Sequence, residues 1–414
     1  MLRIISGTDF AAFSKRKSLR LAEAERSVAP MLEAIRERGD EALLEYARRF
    51  DGHEGPGFAV PASELERAEA GLTPEFRAAV QLASKNIGEY ARTQLPRENF
   101  IDLPDGRRLG QIVRPLDSMG AYIPAGRYPL PSTLLMTVIP AQTAGVRSIC
   151  VCSPKPSVEI LGAAHVLGVT QVFRIGGAHA VAALAFGTAT VPRVDRIVGP
   201  GNIYVAAAKR LLAGETGIDF VAGPTEILVI ASEGDPRHLA ADMLAQAEHD
   251  TDASAILLTT SRTLAEAVAA EVERQLAVLP TAAIARESIA NNSACVVVPD
   301  LETAVELSNR FAPEHLSIPD AALLPLIRHA GSIFIGPFSP EAAGDYASGP
   351  NHVLPTAGTA RLRGGLSAAD FVKVISVQQL TAEGLNALAP AVTTLARAEG
   401  LEAHARSVEV RVVR

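Results

Sequence analysis

Along the first hundred residues apolar and charged positions recur at helical spacing, as in "EAIRERGDEALLEYARRFDG", the pattern of helices that bury one stripe and solvate the rest. From about Met119 the texture changes. Short apolar runs alternate with Ala-rich stretches of roughly ten to fifteen residues, which predicts βαβ units and parallel sheets. One series of strands is expected at "AYIPA", "SICVCSP", "QVFRIGG", "RIVGPG" and "IDFVAGP", and a second at "EILVIAS", "SAILLTT", "ACVVVPD" and "SIFIGP". Two α/β lobes of similar build follow. Beyond about Gly349 the pattern gives way to a Gly/Pro-rich connector, "GPNHVLPTAGTARLRGG", and a short tail of helix and strand ending "SVEVRVVR". Ligands of open parallel sheets bind outside the carboxyl ends of the strands, so the site is expected there, in the crevice between the lobes.

Composition narrows the partners. The 414 residues are 48% hydrophobic and 21% charged, with a net charge of −7. The charges are interspersed without a basic stripe, so nucleic acid is not an expected partner. The opening "MLRIISGTDFAAF" has no apolar run of signal-peptide length, and no segment approaches the roughly 20 apolar residues of a membrane span. A cytoplasmic protein without a membrane partner is expected. Cys150, Cys152 and Cys295 sit in apolar runs and read as small buried hydrophobes of a reducing compartment.

Four stretches carry candidate chemistry. Asp235-Pro236 is a helix start. Counting on from it, Met243, Leu244 and Ala247 form an apolar stripe and Asp242, Gln246 and His249 a polar one. That polar stripe is either a solvated face or half of a metal site, since an amide oxygen and an imidazole one turn apart are workable ligands. "APEHLSI" sets Glu314 beside His315, an adjacent carboxylate and imidazole whose environments can divide acid and base duties. "SPEAAGDYASGPNH" holds Asp345 and His352 among glycines, where backbone can approach a ligand. In "RAEGLEAHARS", Glu399 and His404 can share a site only if the helix breaks near Gly400. His53, His165, His238 and His329 lack such company and read as structural. The turns "GGAHAV" and "GPGNIY" suit a phosphate at a helix N-terminus, but neither matches G-x-G-x-x-G.

Taken together, these stretches closely resemble the histidinol dehydrogenase family. The likeness runs in order from "YARRFDG" through "YIPAGRYPLPSTLLM", "GPGNIYVAAAKR", "AGPTEILVIA", "QAEHD", "PEHLSI" and "GDYASGPNHVLPT" to "AEGLEAH". It implies a zinc-dependent, four-electron oxidation of L-histidinol to L-histidine through an aldehyde, reducing two NAD+ and consuming one water. By the same resemblance the metal ligands are Gln246, His249, Asp345 and His404, the last supplied across an intertwined homodimer. His315 is then the base that takes the hydroxyl proton, and Glu314 activates the water. Substrate contacts extend to Thr225 and Glu399, and the cofactor contacts are Tyr122, His179 and Asn202. At residue 179 the family pattern has glutamine; a neutral imidazole can donate or accept there, but not both at once.

The implied architecture is two similar incomplete Rossmann-like lobes with parallel sheets, a helical N-terminal segment (1–22) and a small exchanged tail domain (349–414). One lobe, 23–110 with 225–348, would carry the metal and acid–base residues; the other, 111–224, would bind NAD+. A same-scaffold dehydrogenase of another polar alcohol, such as a sulfonated diol, is the alternative, and Glu399 and His404 favour histidinol. A binding protein with a structural metal would have no need of Glu314 and His315.

Overall fold

The computed structural model describes residues 2–14, 21–125, 128–221 and 223–412. Both expected series of βαβ units are present. The first series gives β4 (Ser118–Tyr122), β5 (Ser148–Cys152), β6 (Gln171–Phe173), β7 (Arg196–Val198) and β8 (Gly217–Ile218), a parallel sheet in the order β6-β5-β4-β7-β8. The second gives β9 (Glu226–Ile230), β10 (Ser254–Thr259), β11 (Ala294–Val297), β12 (His315–Ile318) and β13 (Ser332–Ile335). With β1 (Arg3–Ser6) at its edge, this parallel sheet runs β1-β11-β10-β9-β12-β13. Every residue of β9 is buried, as a parallel strand covered by helices on both faces requires.

Four features differ from the sequence expectation. The N-terminus begins with β1, which pairs along β11 through Arg3 and Ala294, rather than with helix; residues 15–20 of the expected helical segment lie outside the described residues. The helices between Leu21 and Thr93 pack on the five-stranded sheet, not on the six-stranded lobe to which 23–110 was joined. Val28, Ile35 and Leu43 share one core with Val181, Ile197 and Leu212, while Leu65, Val80 and Ile87 share another with Met119 and Leu134. Their apolar stripes cover both faces of a sheet that its own crossover helices do not fill. Finally, β14 (Val372–Leu380) pairs antiparallel with β3 (Arg107–Pro115), which pairs with β2 (Asn99–Asp102), a sheet absent from the expectation. Helices Ala382–Ala398 and Glu402–Glu409 follow, so Ser407–Glu409 of "SVEVRVVR" close a helix where a strand was expected, and residues 413–414 lie outside the described residues.

The crossing between lobes sets the site. The chain leaves the carboxyl end of β8 at Ile218 and enters the amino end of β9 at Glu226. The carboxyl edge of the five-stranded sheet is thereby joined directly to the amino edge of the six-stranded one. No helix among the described residues is long and apolar enough to cross a membrane.

Candidate active site

Helix Pro236–Ala247 follows β9 and returns to the amino edge of the sheet. Its start is as expected, with Pro236 in the first turn and the Asp235 side chain accepting from Arg237 N. Its end is not. The helix stops at Ala247, and His249 lies in the next turn with its N–H 3.4 Å from Gln246 O, so a strict helical stripe does not extend to it. Gln246 is fully buried and belongs to no solvated face. Opposite, helix Leu301–Phe311 closes on Ala312 at φ 54°, a left-handed non-glycine conformation that costs about 1–3 kcal/mol and is tolerated where the surroundings use it. That turn delivers Glu314 and starts β12 with His315. The short helix Glu341–Tyr346 supplies Asp345. Gly344 lets this helix close on Phe334, since a Cβ there would come 2.6 Å from the ring whose centroid is 6.0 Å from that of His315.

Thr225, Glu226, Gln246, Glu314 and His315 therefore gather at the amino edge of the six-stranded sheet, not at the carboxyl ends expected from the general rule. Thr225 Oγ1 donates to Glu314 Oε2 (2.5 Å) and accepts from Gln246 Nε2 (2.8 Å), while Glu226 N also donates to Glu314 Oε2 (2.9 Å). His315 Nδ1 lies 3.2 Å from the Glu226 carbonyl, which marks it as the protonated nitrogen. His315 Nε2 has no hydrogen-bond partner and faces Asp345 Oδ1 at 3.6 Å. His249 Nε2 is 3.9 Å from Asp345 Oδ2, and single ligand atoms of His249, Glu341 and Asp345 all lie within 4.8 Å of one another. Gln246 Oε1 and Glu341 Oε2 are buried without partners. Buried orphaned oxygens beside an imidazole and a carboxylate form a mixed N/O set that a divalent cation such as zinc satisfies.

The electrostatics fit a crowded anionic pocket. Burial pulls the His315 imidazole down, but the charges of Glu341, Glu314 and Asp345 outweigh it and push the group up to about 10. Burial holds Glu314 above the usual carboxylate range, against the pull of His315 and the Thr225 hydroxyl. Glu341 is driven up to about 8, by burial first. Asp345 is likewise penalised by burial, yet the adjacent His315 imidazole and the nearby His352 and His249 bring it below its ordinary value. His352, the secondary candidate, donates from Nδ1 to the Asp345 carbonyl at 2.8 Å and so supports that loop.

Glu341 was not singled out from the sequence. Its signal was there: Glu341 stands four residues before Asp345, just after Pro340, which puts both carboxylates on one side of a helix. Two expected residues stay apart from the cluster within one chain. Helix Ala382–Ala398 breaks at Gly400 (φ 77°) as anticipated, but Glu399 and His404 are exposed, and the two tail helices pack mainly on each other and on β14.

The expected cofactor residues line the carboxyl edge of the five-stranded sheet, where β4 and β7 diverge in topology. Tyr122 ends β4; its buried hydroxyl accepts from Gly177 N at 3.3 Å, and burial pushes it up to about 12. Beside it Gly199 (φ 114°) lies so close that a Cβ would meet Tyr122 O at 2.2 Å. Asn202 caps helix Ile203–Leu212 by accepting from Tyr204 N and Val205 N. His179 is buried in helix Gly177–Phe186, whose N-terminus is filled by the Asp51 carboxylate.

The profile of the histidinol dehydrogenase family matches residues 14–412. The chain belongs to that family. The histidinol dehydrogenase of Geobacter sulfurreducens is 49% identical, with 98% of this chain and 97% of that protein covered. The crystal structure of histidinol dehydrogenase from Elizabethkingia anophelis superposes with a TM-score of 0.95 at 36% identity, covering 99% of this chain and 98% of that one. An acetylating aldehyde dehydrogenase from Geobacillus thermoglucosidasius, at 13% identity, 91% and 95% coverage and a TM-score of 0.51, shares the fold alone. The family comprises NAD-dependent oxidoreductases of the last step of histidine biosynthesis, and another polar alcohol as substrate finds no support in these relatives.

Proposed function

We propose that this chain oxidises L-histidinol to L-histidine in two hydride-removing steps at a zinc site, with NAD+ as oxidant. The observation that carries the reading is the approach of His249 Nε2 and of the free His315 Nε2 to the Asp345 carboxylate, with the unsatisfied Gln246 Oε1 on a side chain tied through Thr225 to Glu314. Gln246, His249 and Asp345 would hold the metal together with His404 of the partner subunit. When bound, zinc fixes the substrate's nitrogen atoms and so aims the alcohol carbon, and NAD+ supplies the hydride acceptor in each step.

The protein's own groups move the protons. His315 Nε2 takes the hydroxyl proton of the alcohol, while Nδ1–H on the Glu226 carbonyl holds the ring in the required tautomer. Glu314, raised by burial and steadied by Thr225 and Glu226 N, takes a proton from the water that adds to the aldehyde carbon. In sum the alcohol carbon gains one water oxygen and loses two hydrides, and three protons are released as the carboxylate forms.

The homodimer belongs to the same proposal. Leu395, Leu401 and Val410 of the tail and Val374 and Ile375 of β14 are exposed apolar side chains that a second copy would cover while receiving Glu399 and His404. Incubating the zinc-loaded protein with limiting histidinol and excess NAD+ tests the core of the reading. Two NADH per histidinol are expected; one would make it a simple alcohol dehydrogenase, and none would leave a binding protein.

A further inference from the structure

Helix Asp40–Tyr46 widens into a π-helical turn, Ala47–Asp51, before stopping at Gly52 (φ 66°). Such widened turns concentrate at functional sites, because the extra residue re-aims the side chains that follow. Here the turn swings Asp51 inward, leaving its side chain 8% exposed against a His179 side chain at 2%. One oxygen, Asp51 Oδ2, accepts from Gly176 N at 2.9 Å and from His179 Nε2 at 2.7 Å. Gly176 is the N-cap of helix Gly177–Phe186 and has no side chain of its own to cap it. The next N–H, that of Gly177, binds the Tyr122 hydroxyl. Phe50 stacks over the imidazole with centroids 6.3 Å apart, and Tyr46 stacks over Phe50 at 6.2 Å.

A carboxylate thus stands where the glycine turn could have received a phosphate, and it grips the imidazole by Nε2. No protein group among the described residues bonds Nδ1. Fixing a helix end does not by itself require a buried carboxylate and imidazole, whose desolvation is costly and which apolar residues could replace. Their place beside Tyr122, at the topological switch of the five-stranded sheet, gives the pair another use.

We infer that Asp51 is a positioning residue of the dinucleotide site: through His179 and the Gly176–Gly177 turn it orients the imidazole Nδ1 and the Tyr122 hydroxyl toward NAD+. The inference rests on the proposed cofactor site at Tyr122, His179 and Asn202. It follows that the pyrophosphate does not sit on the start of helix Gly177–Phe186, which Asp51 already neutralises.

The experiment uses the full zinc-loaded protein carrying Asp51→Asn, His179→Ala, or both. Asp51→Asn keeps one acceptor oxygen for Gly176 N, and so the helix cap, but removes the negative charge that makes the bond to His179 Nε2 a strong, charge-assisted one. It is expected to raise both KM for NAD+ and the Kd for NADH, read by NADH fluorescence, about tenfold, with KM for histidinol moving less than about twofold. The double variant should be no worse than His179→Ala alone, because Asp51 acts through that ring. Unchanged NADH affinity in Asp51→Asn, additive losses in the double variant, or a parallel rise of both KM values with a lowered Tm would each overturn the inference. Wild-type protein that binds no NADH would instead remove the cofactor site on which it rests.

Discussion

The Thr225 hydroxyl donates a hydrogen bond to the Glu314 carboxylate across 2.5 Å, and the same oxygen accepts from the Gln246 amide, so one side chain ties the proposed water-activating group to a proposed metal ligand. Removing the hydroxyl strips Glu314 of a bond that holds its pKa down, so the group rises further. Thr225→Val is expected to lower kcat about 10–100-fold, the worth of a hydrogen bond to a buried charge, and to shift the acidic limb of the kcat profile to higher pH. Thr225→Ser should keep the limb in place. A Val variant with an unmoved limb would show that the hydroxyl does not tune Glu314.

His315 must be neutral to accept a proton, yet three carboxylates push it up to about 10 in the metal-free protein. A divalent cation on Asp345 cancels one of those charges and adds its own field, so both effects lower the imidazole. NMR titration should place His315 near 10 without metal and closer to the ordinary value of about 6.5 with zinc. His315→Asn is expected to cut kcat by about 10²–10⁴ while zinc content stays the same. Loss of zinc from that variant would make residue 315 a ligand instead of the base.

Sharing of the site between chains has a direct readout. His249→Ala and His404→Ala chains, each inactive alone, should form hybrid dimers with one intact site when unfolded and refolded together. Recovery of about a quarter of wild-type activity follows from random pairing of symmetric dimers. Failure of mixed dimers, separated by affinity tags, to show any turnover would place His404 in its own chain's site or in none.

Lys209 and Asp219 form an ion pair of 2.7 Å that is almost completely buried, and both also hold Gly199, through its carbonyl and its N–H. The pair clamps the turn that supports Tyr122. Asp219→Asn or Lys209→Met should destabilise the protein by about 3–5 kcal/mol, because each strands a buried charge, whereas Lys209→Met with Asp219→Leu should recover much of that loss. Urea denaturation of the three variants measures it. Equal losses in all three would mean that the turn depends on the charges themselves.

Much of this architecture was legible in the chain. Short apolar runs such as "ILVI", set between turn residues, read as strands buried on both faces, and Asp235-Pro236 reads as a helix start, because those properties are local. The resemblance likewise singled out Gln246, His249, Glu314, His315 and Asp345, which the fold brings to one edge. Glu341 escaped because its distinction lies in being buried against His315, and burial is not written in a single residue. The antiparallel strand Val372–Leu380 escaped because its partner lies some 260 positions away, beyond any periodic signal.

The sequence alone therefore determined the repeating strand–helix units and the residue types able to bind a cation and move protons, since both depend on spacing and side-chain chemistry. Only the tertiary structure decided which edge carries them. The direct crossing from β8 to β9 turns the amino ends of one sheet toward the carboxyl ends of the other, and the helices from Leu21 to Thr93 settled on the lobe with apolar faces left to cover. Those outcomes depend on which distant surfaces exclude water together, a property of the folded whole that no stretch of chain possesses.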